Sequence, residues 1–194
     1  MRDFNWEDKL NLLVHQDLEL RNLLSERGVL SDTYHAEMER LHLKNAHKLS
    51  VMIKNYGFPT LSNAGEKGVR LSWLIIHHSI SWPDFMRECL IQMRLAASQN
   101  DYLLELLAYT EDRIAFFEGR PQLYGTNSDW IDGELKRTPI EDAMNIDIRR
   151  KSMGLPPLSP IVISDLDRPP KDPEKKAKEF TQWLERVGWR SIIK

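Results

Sequence analysis

The sequence predicts an all-α fold: a single helical domain of six to seven helices with a small β-hairpin between helices five and six. Three observations predict it. Apolar residues recur at three- and four-residue spacing through most of the chain up to Glu118. Gly and Pro close the periodic stretches at Gly28, Gly57–Pro59 and Gly119. Only after Gly119 does the pattern break into short segments separated by turn residues at Gly125, Asn127 and Asp132-Gly133.

Taken in order, Trp6, Leu10, Leu13, Leu20 and Leu24 form the stripe of a first helix that ends at Gly28, and Asp17 is an acid on that apolar stripe. Ser31 or Asp32 can cap a second helix running to Asn55 and Tyr56. After the loop FPTLSNAG, a third helix is expected from Glu66 to Ser79; its core, VRLSWLIIHHSI, is apolar on nearly every side and reads as the central, buried helix. Ser81 is expected to cap a fourth helix with Pro83 and Asp84 in its first turn. A fifth should span Tyr102 to Glu118. The hairpin is expected to pair QLYGT with ELKRT. Thr138, Pro139 and Glu141 then read as N-cap, N1 and N3 of a sixth helix closing at Gly154. A Pro-punctuated extended segment follows, then an amphipathic helix after Asp172 and Pro173 with Phe180, Trp183, Leu184 and Val187 on one side. The expected organisation is a helical domain over 1–167 and a linker with C-terminal helix over 168–194.

The bulk numbers narrow the function classes. The chain has 194 residues, 41% hydrophobic and 29% charged, with a formal net charge of −2. That is an ordinary globular composition, without the basic excess of a nucleic-acid surface. Neither a signal-peptide run nor a stretch of ~20 apolar residues is present, so no membrane span and a cytoplasmic location are expected. One cysteine, Cys89, excludes an internal disulfide and any Cys-based zinc site; it reads as a small buried hydrophobe.

The chemistry-bearing residues gather in a few places. His35, Glu39 and His42 share a helix face, and Glu39-x-x-His42 has the spacing of a di-iron ligand pair. No second such motif accompanies it, so neither a metal nor another cofactor is expected. His77 and His78 sit in the most apolar helix, pointing about 100° apart. A histidine there is either a hydrogen-bonded core residue or an acid/base group. Asp112 and Arg113 end the fifth helix, with Tyr109, Arg113 and Phe116 on one face. They form either an ion-pair network bracing the following loop or an Arg fork for an anion. Gln122, Tyr124 and Thr126 alternate, so a strand there would send all three to one side. Asp147, Arg149 and Arg150 repeat the acid-base theme, and Asp147 and Arg150 at i, i+3 can equally form a plain surface pair.

Asn45, YGFP (Tyr56–Pro59), Trp73, His78, Asp112-Arg113, GRPQLYGT (Gly119–Thr126), PIED (Pro139–Asp142), Asp147–Arg150 and GLPPL (Gly154–Leu158) together resemble an uncharacterised bacterial family, domain-of-unknown-function family 6624. The resemblance covers about Leu10 to Leu158 and brings no established activity. It implies recurring polar positions at Asp17, Arg21, Asn45, His78, Asp112, Arg113, Gln122, Tyr124, Thr126, Asp147 and Arg150. The chain departs from the family pattern where Gln-His-Ala-Asp becomes His77-His78-Ser79-Ile80, where an acid ahead of Asn45 becomes His42, and where YGTQ ends in Asn127. If the acid replaced by Ile80 is catalytic, the resemblance implies lost or changed activity here.

Two functions are therefore expected from different classes. One is an enzyme-like pocket for a small anionic or phosphorylated ligand. His78 is its acid/base, Asp112 the orienter, Arg113 and Arg150 the anion clamp, and Gln122, Tyr124 and Thr126 the positioning groups. The other is a protein-interaction module that binds a partner through the C-terminal helix.

Overall fold

The computed structural model describes residues 4–29, 34–131, 133–162 and 169–190. Among them it holds seven α-helices and one hairpin between the fifth and sixth, the class the sequence predicts. The helices are α1 (Trp6–Glu26), α2 (Ala36–Tyr56), α3 (Leu61–His78), α4 (Pro83–Ser98), α5 (Leu104–Glu118), α6 (Ile146–Ser152) and α7 (Pro173–Val187). The strands are β1 (Ser128–Ile131) and β2 (Glu134–Arg137). Contacts group the chain into two compact units: residues 4–29 with 34–106, and residues 107–190. The expected caps Ser31 and Asp32, the Asp132 turn position and part of the expected linker before α7 lie outside the described residues.

In the first unit, α1, α2 and α3 pack against one another and α3 also packs on α4. Asn5 caps α1, accepting from the Asp8 N–H at 3.1 Å. The α3 axis breaks at Gly65, whose φ of 67° and ψ of 171° only glycine adopts without strain. The regular part of α3 therefore begins at Glu66, as the sequence suggests, and one further turn precedes it. Asp101 holds that turn by accepting from the Ser62 N–H and hydroxyl at 2.7 and 2.8 Å. Ser81 does not cap α4. Its hydroxyl donates to Glu39 at 2.7 Å, and Trp82 takes the cap position ahead of Pro83. Buried Leu10, Leu13, Ala46, Leu49, Val69, Ile75, Ile76, Met86 and Met93 make the core, with α3 central.

In the second unit the hairpin register differs from expectation. Ser128–Ile131 pairs with Glu134–Arg137, Ile131 opposite Glu134, so in sequence only an Asp-Gly pair separates the strands. Asp-Gly is the preferred two-residue connection, and it selects SDWI over QLYGT as the partner of ELKR. Gln122 instead makes a single parallel bridge to Ile140. That bridge also displaces the start of the sixth helix. The Gln122 N–H donates to Pro139 and the Glu141 N–H donates to Gln122, both at 2.9 Å, so Pro139 and Ile140 are held beside Gln122 and not in a helix. Asp142 turns left-handed with φ 43°, a short 3-10 turn spans Ala143–Asn145, and α6 begins only at Ile146.

Asp172 caps α7, accepting from the Lys175 N–H at 2.9 Å. The apolar stripe of α7 is spent within this unit. Phe180, Trp183 and the following Trp189 lie 6.3, 5.7 and 5.1 Å from the Phe117 ring, and Phe180 stacks on Phe116 at 5.8 Å. Leu184 is fully buried. The stripe on which the interaction reading depends is therefore largely covered by α5. Phe117→Ala removes the ring at the centre of this cluster and is expected to cost about 3–5 kcal/mol, measured by urea unfolding. A loss below 1 kcal/mol would show that α7 does not dock this way.

Candidate functional site

The strongest concentration of chemistry in the first unit is one the sequence presents only in pieces. Asp17 on α1 is 1% exposed. Its Oδ1 meets His42 Nε2 of α2 at 3.1 Å, and its Oδ2 meets His78 Nδ1, on the last residue of α3, at 2.6 Å. The other nitrogen of His42, Nδ1, lies 2.6 Å from the Tyr34 hydroxyl. The two imidazole rings are 4.8 Å apart. Asn45, one turn beyond His42, donates to the Leu13 carbonyl at 3.1 Å. In a regular helix that carbonyl also accepts from the Asp17 amide, so Asn45 braces α1 at the level of Asp17.

The network assigns its own protons. Burial works against a charged Asp17, but hydrogen bonds and charge from His42 and His78 outweigh it and hold the carboxyl well below the usual carboxylate range. An ionised carboxylate only accepts. Both facing ring nitrogens therefore carry hydrogens, and with a neutral His42 ring Nδ1 accepts from the Tyr34 hydroxyl.

His35, Glu39 and His42 do not act as one solvated polar face, because His42 is buried. The His35 ring accepts from the Glu37 N–H at the start of α2, Glu39 accepts from Ser81, and His42 turns inward to Asp17. The His77 ring lies tilted against Trp73, 4.7 Å between centroids. Asp17 was visible as an acid on an apolar stripe, and His42 as a polar residue in the second helix. Nothing local joined them to Tyr34 and His78.

The residues expected to serve His78 lie in the second unit and do other work. Asp112 does not orient a histidine: it is fully buried, and its oxygens accept from the N–H groups of Leu123, Tyr124 and Thr126 at 2.6 to 3.2 Å and from the Thr126 hydroxyl at 2.9 Å. Gln122, also fully buried, bonds through Nε2 to the Asn127 and Thr138 carbonyls and through Oε1 to the Asn127 N–H. Tyr124 packs on Ala108 and Leu155. Because 122–126 is a tight loop and not a strand, Gln122, Tyr124 and Thr126 do not present one polar face.

Arg150 gives Nε to the Pro156 carbonyl at 2.6 Å and Nη1 to the Tyr124 carbonyl at 2.5 Å. Its fork therefore joins two backbone segments. Arg149, which the sequence groups with Asp147 and Arg150, does the same for Leu123, Glu141 and Asp142. Arg113 lies over the Phe117 ring, 5.5 Å from its centroid. Asp147 accepts from the Leu158 N–H at 2.7 Å. Gly125 closes the loop with φ 68°, where a Cβ would press on Ile140, Ile146 and Leu158 at 3.1–3.2 Å. Arg150, half of the expected clamp, braces the loop instead.

A family model described as a family of unknown function, DUF6624, matches residues 7–167. The chain belongs to that family. No match is found among curated proteins or among solved structures. In this DUF6624 chain both the Asp17 cluster and the Asp112 brace fall inside the matched stretch, and α7 lies beyond it. Ile80, where the resemblance expects an acid, is buried.

A groove of about 570 Å³ also opens on the first unit, lined among others by Lys54, Phe58, Trp82, Phe85 and Cys89, but by none of Asp17, His42 or His78. Cys89 is buried, and burial pushes its thiol up, away from the reactive thiolate. No described helix is long and apolar enough to cross a membrane.

Two measurements check these assignments. Asp17 is depressed in the folded state relative to an unfolded value near 3.9. Its contribution to stability is therefore complete above that value and lost as the pH falls toward its folded value. The stability gap between the native chain and Asp17→Asn should narrow steadily from pH 5 to pH 2; a gap that stays constant contradicts an ionised Asp17. Asp112→Ala leaves three loop N–H groups without their acceptor and should cost about 3 kcal/mol or more, read by denaturant unfolding. A cost under 1 kcal/mol would remove the bracing role.

Proposed function

We propose that this chain is an enzyme whose reaction centre is the Asp17–His42–His78 cluster, which activates water or a hydroxyl group of a small polar substrate. One observation carries the reading: a buried carboxylate, held ionised, meets two imidazoles from two other helices. Apolar side chains of similar volume would often serve packing as well or better. Conversely, a carboxylate that fixes imidazole orientation is the arrangement proton-transfer chemistry needs. His78 is the more accessible ring, with its side chain 18% exposed against 8% for His42, so it is the one substrate meets.

Relative to the sequence expectation, the orienting acid is Asp17 and the arginine clamp drops out, because the Arg150 fork is engaged by backbone carbonyls. With the clamp goes the argument for a phosphorylated ligand. The proposal sets the protein in the cytoplasm, where a lone thiol stays reduced.

A thermal-shift screen of small polar metabolites against the native chain, His78→Gln and Arg113→Ala tests the reading. The expected outcome is a ligand-induced rise in Tm that is lost in His78→Gln and retained in Arg113→Ala, with both variants folded by circular dichroism. A response retained in His78→Gln and lost in Arg113→Ala would move the site to the second unit and overturn the proposal.

A further inference from the structure

We propose that Asp17, His42 and His78 are the three protein ligands of a divalent first-row transition-metal ion. The inference rests on the reading of this cluster as the reaction centre, and it names the agent that performs the activation. One ligand atom from each residue lies within 4.8 Å of the other two. The Asp17 carboxylate reaches His78 Nδ1 through Oδ2 at 2.6 Å and His42 Nε2 through Oδ1 at 3.1 Å. A cation about 2.0–2.2 Å from each atom asks for ligand spacings of roughly 3 to 4 Å, which side-chain shifts of up to about an ångström with ring rotation supply. The ligands come from α1, α2 and α3, so packed helices hold the donor set.

The donor chemistry selects the class of ion. Two imidazole nitrogens and one carboxylate suit zinc, iron, cobalt, nickel or copper, whereas magnesium and calcium want oxygen. Three protein ligands leave at least one coordination position open, the pattern of a catalytic site. Metal-bound water loses its proton far more readily than bulk water. That is the activation the enzyme reading requires.

Tyr34 is the second, independent observation. Metal binding at His42 Nε2 needs that nitrogen as a lone-pair donor, which moves the ring hydrogen to Nδ1. Nδ1 then needs an acceptor. The residue 2.6 Å away is a tyrosine hydroxyl, which both donates and accepts. It therefore serves the metal-free ring as donor and the metal-bound ring as acceptor. Such outer partners fix ligand tautomers in metal sites, and their loss weakens metal binding by about 10–100-fold.

The test uses the full chain stripped with a chelator and titrated with Co(II), followed by its visible absorption, and with Zn(II) in competition. The native chain should bind one equivalent of Co(II), displaced by Zn(II). Asp17→Asn and His42→Gln should weaken binding at least 100-fold, and Tyr34→Phe about 10-fold. His15→Ala, at an exposed histidine that pairs with Glu19, should change nothing. The proposal is overturned if the folded native chain takes up no stoichiometric Co(II), or if Asp17→Asn and His42→Gln bind it as the native chain does. The Tyr34→Phe arm keeps the ligand assignment testable where a ligand variant fails to fold: unchanged affinity there overturns it. Co(II) binding without any His78-dependent ligand response would defeat the enzyme reading and leave the metal site standing. A His78-dependent response in a chain that binds no Co(II) would do the reverse.

Discussion

The carboxylate of Asp17 lies on the inward stripe of α1, 1% exposed, where burial alone would drive it to neutrality. It stays charged because two imidazoles reach it from helices that α1 packs against. This fixes more than one contact. The inner face of α2 has to carry His42 at the right height, α3 has to end with His78 pointing back toward α1, and Asn45 ties α2 to the α1 backbone one turn away. Removing one imidazole would leave a buried charge half compensated, which costs far more than the lost hydrogen bond contributes.

The second unit solves the same problem with different donors. Asp112 is as deeply buried as Asp17, but it is surrounded by backbone N–H groups of the loop that follows its own helix. Arginines 149 and 150 complete the arrangement by filling the loop's carbonyls. A loop rich in polar side chains can thus be polar because it is folded tightly on itself. Gln122 makes the point most clearly, since its amide substitutes for a missing strand partner and bonds the chain on both sides of the hairpin.

These two arrangements explain what the sequence could show. Helix number, Pro83 in the first turn of α4, the regular part of α3 from Glu66 and a last helix after Asp172 and Pro173 are local and legible, whereas the turn at 61–64 reads as loop. The sixth helix was misread because Thr138, Pro139 and Glu141 satisfy a local capping pattern that the Gln122 bridge overrides. The hairpin register was recoverable from Asp132-Gly133, but the alternation of Gln122, Tyr124 and Thr126 competed with it. Of the site, His78 and the oddity of Asp17 were legible one by one. Their partnership was not, because it joins residues 61 positions apart, with His42 a further 25 from Asp17. Asp112 was assigned to His78 because both are polar residues on apolar helices, and the direction of a loop's N–H groups is not written in side-chain identity.

The nature of the donors also separates scaffold from site more sharply than burial does. Backbone amides cannot release a proton or turn away without unfolding the loop, so the Asp112 carboxylate has one available role. Ring nitrogens exchange donor and acceptor character by moving a proton within the ring, and the Tyr34 hydroxyl follows either state. On the proposed reading, the Asp17 cluster hands over a proton, or trades its inward-facing hydrogens for a cation, without unfolding a loop. Two acids of nearly equal burial thus differ in what they can do, and the difference lies wholly in whether their partners are main chain or side chain.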